Sequence, residues 1–498
     1  MKLGFAEGFE FKAGQRDNAS FLINRSAALL CAETGSGKSI ISFAAAMALL
    51  NKGKADKFLL VGTKSSVGEL LDNGRGLTRC EPVMLDESLD SWESFFADDY
   101  RGVALMEYHK FKSLIGMHRS KDDKEGMVSV NDKVVNGLNS LFSGVSLGII
   151  FDEIHELKNP SSQLTTSFQI FRDKFDMCYG VTGTPVKSSV FDLYHIMDFL
   201  VPKCLGSVKD FELSYVRTDL EKVPRKGKGY STVKVIKGFK NLEDLEGRLR
   251  PYKKDYYIEK DLRISKREAA LSDELGYFEA ANGLFGVDIT DEMKKKPVSS
   301  RMYDLQRVVD YDEGKKEALK ETLLEKKDKG CVLFSDLLET IEQLEGIVKE
   351  SGLEYRTIDG STSAKERTEY KDWFNGSPQG KVVLITRAGG QSLNFNSTNE
   401  LVLYNLPNGV GSFVQLVGRI TRVNSPFDHF NITLICATRT IDTYKYESLL
   451  SNRELLVKLT GNSLLPESSN LPRFDRDLLK RLRQELLWKR KNAGNEAV

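Results

Sequence analysis

The sequence predicts an α/β fold: two doubly wound parallel-sheet domains with a mainly helical insertion between them. Three observations predict it. Short apolar, β-rich runs alternate with longer helical stretches, the pattern of βαβ units around a buried parallel sheet. The runs fall into two series of five: 27–31, 58–62, 103–106, 147–151 and 177–181, then 330–334, 355–358, 382–385, 401–404 and 432–436. Between the series, roughly 210–310 changes texture to Lys, Glu and Leu and reads as helices such as 241–249 and 266–281.

A chain of 498 residues is too long for one hydrophobic core. The expected domains are 1–212, 213–310 and 311–455, followed by a tail at 456–498. The tail carries Phe474, Leu478, Leu482 and Leu486 at four-residue spacing, an amphipathic helix with a basic outer face over 473–491. The charged stretch 119–133 reads as a loop inserted in the first domain. No apolar run approaches the roughly 20 residues that span a bilayer, and residues 1–11 show no secretory pattern. The six cysteines are scattered, without zinc-site spacing or a disulfide framework, so a reducing, cytosol-like compartment is expected. With 72 basic against 71 acidic residues the composition neither points to nor excludes a nucleic-acid partner.

The strongest local signal is Ala32-Glu33-Thr34-Gly35-Ser36-Gly37-Lys38-Ser39, after the 27–31 run and before a helical stretch. The spacing is that of a P-loop, with Ala32 in place of the first glycine. Gly35 and Gly37 let the backbone curl so that its N–H groups and the helix N-terminus face phosphate oxygens. Thr34, Gly35, Ser36, Gly37, Lys38 and Ser39 are the candidate nucleotide-binding residues, Lys38 as a point charge and Ser39 as an Mg²⁺ ligand. The second half of the site is the 147–151 run ending in Asp152 and Glu153. Asp152 suits Mg²⁺, and Glu153 suits orienting or deprotonating a water. Alone, such an acidic pair is more often a helix cap; coupled to a P-loop it reads as catalytic, with ATP and Mg²⁺ as cofactors.

These residues resemble a known family. Asp152-Glu153-Ile154-His155 is similar to the DExH box of superfamily 2 helicases, and the following Glu156-Leu157-Lys158-Asn159 to Swi/Snf-type ATPases. Val181-Thr182-Gly183-Thr184-Pro185 looks like motif III, and Val332-Leu333-Phe334-Ser335-Asp336 like motif IV. Asp359-Gly360-Ser361, then Thr386-Arg387-Ala388-Gly389-Gly390, resemble the family's Asp-Gly-Ser block and motif V. Gln415-Leu416-Val417-Gly418-Arg419-Ile420-Thr421-Arg422 resembles motif VI, and Thr440-Ile441-Asp442 the closing block. Segments 241–252 and 305–319 are similar to the stretches that join the two motor domains. The blocks run in order over nearly the whole chain.

The resemblance implies two RecA-like domains and an ATP-driven motor on double-stranded DNA, in a compact bacterial or viral form, monomeric and without a membrane partner. It implies Arg419 and Arg422 as catalytic arginines from the second domain, two residues three apart on one helix face. It places Gln15 as the adenine-reading glutamine, although Phe11-Lys12-Ala13-Gly14-Gln15 departs from the usual Leu-Arg-Pro-Tyr-Gln. It implies phosphate-backbone contacts at Lys64, Ser65, Thr386, Arg387, Gly389 and Gly390. Two other readings stay open: a strand-separating helicase on forks, branched DNA or RNA, and an ATP-gated clamp or scaffold. The run 222–240 holds seven Lys/Arg and no acid, and reads equally as a backbone-tracking β-hairpin or a solvated arm.

Overall fold

In the computed structural model, five of the strands in the first unit are β1 (Ala27–Ala32), β2 (Lys57–Gly62), β3 (Val83–Met84), β4 (Gly102–Glu107) and, after a short antiparallel pair β5 (His118–Arg119) and β6 (Val128–Ser129), β7 (Leu147–Asp152). They are followed by β8 (Met177–Thr182), a two-stranded antiparallel ribbon of β9 (Val216–Pro224) and β10 (Tyr230–Phe239), and β11 (Lys253–Tyr256). The second unit holds β12 (Asp261–Ala269), β13 (Cys331–Phe334), β14 (Glu354–Ile358), β15 (Lys381–Ile385), β16 (Glu400–Leu403) and β17 (His429–Ala437). The structure describes residues 4–33, 35–79, 81–97, 102–116, 118–119, 128–185, 190–224, 230–257, 261–285, 290–387, 393–407, 410–421 and 425–451. The chain divides into its two units after Ile258.

The first sheet is wholly parallel in the order β11-β1-β8-β7-β2-β4-β3. Its central strands are buried almost throughout, which is why they read as unbroken apolar runs rather than alternating ones. Alternate residues feed two cores. Leu30, Phe58, Leu60, Ile150 and Tyr179 join Phe43 and Met47 of the helix Lys38–Asn51 on one face. Phe151 belongs to an aromatic cluster on the other, 5.1 Å edge-on from Phe168, which stacks on Phe111 at 4.3 Å. Gly180 lets the turn after the acidic pair press against β8. A Cβ there would lie 2.6 Å from Ile154 Cδ1 and 3.1 Å from Leu200 Cδ1.

The second sheet is also parallel, in the order β12-β17-β16-β13-β15-β14. Val332, Val383, Ile385, Leu401 and Ile432 fill one face, and Leu333, Leu384, Val402 and Ile435 fill the other with Leu319, Leu323, Leu344 and Val348. All ten runs expected from the sequence are strands, and two doubly wound parallel sheets carry the fold.

The segment expected to be a mainly helical block, 213–310, is mixed and is shared between the units. Its helices are Leu242–Leu249, Glu274–Phe285, Asp291–Lys295 and Val298–Asp310, but β11 completes the first sheet and β12 the second. The helix expected at 266–281 is strand to Ala269, and helix only from Glu274. Both added strands are edge strands, half in water, so their charged residues gave no apolar run to detect. The helices Glu274–Phe285 and Val298–Asp310 pack Tyr277, Phe285, Leu305 and Val309 against Ala437, Ile441 and Tyr444 of the second unit. The unit boundary therefore falls after Ile258, rather than at 212 and 310. The basic run forms the ribbon β9–β10, one of its two expected conformations. Residues 225–229, residues 120–127 of the loop expected at 119–133 and the tail helix expected at 473–491 lie outside the described residues.

Asp312 ties this segment to the second unit. It caps the helix Glu313–Glu325 through the Gly314 N–H (2.8 Å) and accepts the N–H groups of Ser272 and Asp273, both at 3.0 Å, and the Ser272 hydroxyl at 2.7 Å. Burial alone would raise its carboxyl; the hydrogen bonds from Ser272, Asp273 and Gly314 outweigh that and hold it below the usual value. A depressed carboxyl stabilises the fold above its unfolded pKa and loses that contribution as pH falls through the folded value. Asp312→Ala is expected to cost about 1–2 kcal/mol at neutral pH, the worth of a cap with its extra bonds. In urea unfolding the deficit should shrink below roughly pH 4; a deficit equal at pH 7 and pH 3 would contradict this role.

Candidate functional site

Three neighbouring strands deliver the candidate residues to one edge of the first sheet. β1 lies beside β8 and β8 beside β7, with Cys31 level with Thr182 and Val181 level with Asp152. Their C-terminal ends carry the Gly-rich loop, the Thr-Gly-Thr-Pro turn and the acidic pair, where open α/β sheets bind ligands.

The loop needs left-handed backbone at Gly35 (φ 85°) and Gly37 (φ 87°), which glycine adopts without a Cβ penalty. Gly37 precedes the helix Lys38–Asn51 and offers no side-chain cap, so the first-turn N–H groups are left for an anion. Ser39 lies in that first turn; Thr34 falls outside the described residues. The buried Ser36 hydroxyl donates to the Glu33 carbonyl at 2.7 Å. Gln15 is buried against this loop. Its Nε2 donates to the Ser36 carbonyl (3.2 Å), and its Oε1 accepts from the Lys12 N–H (3.0 Å). A Cβ on Gly37 would collide with that amide, so the glutamine and the loop fit each other.

Lys38 Nζ pairs with Glu153 Oε1 at 3.0 Å. Glu153 is held in the left-handed region (φ 51°), sparsely populated backbone for a non-glycine residue at the head of the short turn Ile154–Leu157. Its other oxygen accepts the Thr182 hydroxyl at 3.0 Å and lies 3.2 Å from His155 Nδ1. Thr182 spends its single proton on Glu153, so in the 2.9 Å contact between Thr182 Oγ1 and His155 Nδ1 the histidine is the donor. The Thr184 N–H also donates to Thr182 Oγ1, at 3.1 Å. Tyr108 donates to the Asp152 carbonyl at 2.9 Å and fixes the end of β7 from the end of β4.

Burial, and then the neighbouring Glu153 charge, push the Asp152 carboxyl up to about 7, against the pull of Lys38 and a hydrogen bond from Ser66. Burial acts on Glu153 too, but Lys38 and His155 overcome it and carry that carboxyl well below the usual range. Two half-buried carboxylates thus share one lysine, a donor set short of positive charge. Asp152, with the Ser39 hydroxyl, fits a hard divalent cation that takes one protein carboxylate and completes its shell with phosphates and water. No cluster of three or more metal-ligating side chains competes with it among the described residues.

Thr182, His155, Ser66 and Tyr108 were not among the site residues expected from sequence. Thr182 and His155 stood inside recognisable blocks, and Ser66 closed the motif Ia block that supplied Lys64 and Ser65; Tyr108 carried no local signal. Lys64 is exposed in the first turn of the helix Lys64–Leu77, whose N-cap Thr63 accepts the Ser66 N–H at 3.3 Å, and Ser65 follows it there.

In the second unit Thr386 is buried, its N–H donating to the Ile358 carbonyl at 3.2 Å. Arg387 is half exposed and pairs through Nη2 with Asp336 Oδ2 at 2.6 Å. Gly389, Gly390 and Arg422 lie outside the described residues. Arg419 is not on a helix as expected. The helix Val410–Val417 ends before Gly418, and the chain continues in tighter turns, Arg419 N–H to the Leu416 carbonyl (3.0 Å) and Ile420 N–H to that of Val417 (3.1 Å). Glycine, the weakest helix former after proline, stands at the change.

Three family models match the chain: a type III restriction enzyme res subunit over 11–187, an SNF2-related domain over 141–255 and a helicase conserved C-terminal domain over 314–424. An uncharacterized ATP-dependent helicase of Mycoplasma pneumoniae is 24% identical, over 52% of this chain and 25% of the relative. The DNA repair and recombination protein RAD26 of Saccharomyces cerevisiae is 25% identical, over 51% of this chain and 26% of its own. The human chromodomain-helicase-DNA-binding protein 1 is 27% identical, over 56% and 17%. The chain spans about a quarter of the length of the first two relatives. Among solved structures, the Sulfolobus solfataricus SWI2/SNF2 ATPase core in complex with dsDNA aligns over 91% of this chain and 93% of that one, at 17% identity and a TM-score of 0.39. With the P-loop, the acidic pair and motif III on adjacent strand ends, and the SNF2-related and helicase C-terminal models matched in order, the chain is similar to the superfamily 2 ATPases of the Swi/Snf type.

Proposed function

We propose that the protein is a nucleic-acid-dependent ATPase that translocates on double-stranded DNA and remodels protein–DNA complexes or DNA joints. The observation that carries this is the assembly of Lys38, Asp152, Glu153 and Thr182 at one sheet edge, beneath an uncapped helix N-terminus. Polyphosphate entering the loop draws Lys38 away from Glu153, since a phosphate concentrates more charge than one carboxylate. Glu153, still held by Thr182 and His155, is then free to accept a hydrogen bond from water and orient it. Asp152 and Ser39 would hold Mg²⁺, which supplies charge neutralisation on the phosphates. Gln15 would place the adenine against the loop it already contacts. Arg419 and Arg422 of the second unit are the proposed catalytic arginines.

DNA as the track is supported by the family and by charge. Residues 216–240, the ribbon β9–β10 and the residue after it, carry net charge +6 beside +1 for the whole chain. A two-stranded ribbon also suits a nucleic-acid groove or backbone. Lys64, Ser65, Thr386, Arg387, Gly389 and Gly390 are the proposed contacts of the two motor domains with the phosphates.

The deciding experiment measures ATP turnover with duplex DNA, single-stranded DNA, RNA or no nucleic acid. Duplex is expected to stimulate most, with apparent affinity falling steeply as salt rises. Hydrolysis unaffected by all three polymers would refute the reading. Displacement of a triplex strand without separation of the duplex is expected of a translocase, and duplex separation would favour the helicase alternative.

A further inference from the structure

The interior of the second unit holds an ionic cluster that the nucleotide chemistry does not use. Lys315 Nζ donates to Asp310 Oδ1 (2.7 Å) and Asp442 Oδ2 (2.6 Å), with all three side chains at most 2% exposed. Gln306 Nε2 donates to both carboxylates, at 2.9 and 2.8 Å. The second oxygen of Asp310 accepts Asn405 Nδ2 at 2.8 Å, and the same amide nitrogen reaches Ser335 Oγ at 3.1 Å. Asn405 Oδ1 in turn accepts the Asp336 backbone N–H at 2.7 Å. Asp336 is the residue that pairs with Arg387. An unbroken chain of hydrogen bonds thus runs from the helix Glu313–Glu325, through the end of the helix Val298–Asp310 and Asn405 beyond β16, to the ends of β13 and β15.

Such a cluster is a poor source of stability, because desolvating the charges costs about as much as their attraction returns. What it supplies, and an apolar plug of the same volume would not, is direction: each bond fixes the orientation of the next group. The charges also balance across it. Asp310, Asp442 and Asp336 lie within reach of Lys315, the buried Lys445 and Arg387, and of these cations Arg387 is the one that is half exposed.

We propose that the Lys315–Asp310–Asn405 network positions Arg387 through Asp336, and so sets the grip of the second unit on the phosphate backbone. This rests on the reading of Arg387 as a phosphate contact. Asp336 holds the guanidinium at the sheet edge, and Asn405 holds Asp336 by its backbone. Asn405, Asp336 and Asp310 are positioning residues; Arg387 is the group that touches the ligand.

The test is a double-mutant cycle on the full chain, read as the salt dependence of binding to a fluorescein-labelled DNA duplex. Arg387→Gln should lower the slope of log affinity against log salt by about one phosphate contact. Asn405→Ala should lower it equally, and the double variant should lose no more than either alone. Asp336→Asn keeps the backbone bond to Asn405 and removes the charge that holds Arg387, so it should give the same loss even if Asn405→Ala does not fold. Additive losses, a wild-type slope in Asn405→Ala, or tighter binding by Asp336→Asn would overturn the positioning role while leaving the phosphate contact intact. An unchanged slope in Arg387→Gln would overturn both.

Discussion

Glu153→Gln is expected to lower nucleic-acid-stimulated ATP turnover by about 10²–10⁴-fold while nucleotide binding persists, the range for loss of a group that takes or orients a proton. The substitution preserves the shape that receives Thr182 (3.0 Å) and the neighbouring His155, but it removes the charge paired with Lys38. Lys38 then has one partner fewer to leave when phosphate arrives, so nucleotide affinity should hold or rise. Lys38→Ala acts at the opposite pole. It deletes the point charge for the phosphates and leaves Asp152 and Glu153 without their lysine, so binding and turnover should both be lost. Equilibrium binding of a fluorescent ATP analogue beside steady-state turnover separates the two variants. Wild-type turnover in either would sink the assignment of the site.

Lys315→Met is expected to destabilise the second unit by about 3–5 kcal/mol, the cost of breaking a buried ion pair by removing one partner. Asp310 and Asp442 would remain buried, both bonded to Gln306 Nε2 and with no cation between them. Burial already raises the Asp310 carboxyl even with Lys315 beside it. A carboxyl raised in the folded state weakens the fold above its unfolded pKa, and protonation relieves that cost. The deficit should therefore shrink as pH falls from 7 towards 5. Hydrogen exchange reads the effect locally, with amides of β13, β16 and β17 losing protection while those of β1 and β7 serve as the internal reference. Unchanged protection in the second unit would show that the cluster does not brace it.

The same contrast separates what could be read along the chain from what could not. Nine of the ten expected strands are central, and they were legible because a strand buried on both faces must be an apolar run, whatever surrounds it; the tenth, β14, is a half-exposed edge strand. The Gly-rich loop and the acidic pair were legible because phosphate chemistry demands those residue types at short spacing. The edge strands β11 and β12 were not, since a strand half in water keeps its charges and resembles a surface helix.

The sequence by itself determined two parallel sheets, a nucleotide loop and a pair of carboxylates in the order a Swi/Snf-type ATPase requires. Only the tertiary structure decided that Lys38 rests on Glu153, that Thr182 and His155 hold its other oxygen, and that Gln15 lies against the loop. It alone decided that Arg387 hangs from a buried cluster of Asp310, Lys315, Asn405 and Asp442. The physical reason is range. Periodicity and loop chemistry are written within a few residues, whereas a buried charge network joins segments far apart in the chain. Each of its members, taken alone, looks like an ordinary surface residue until the fold removes the water around it.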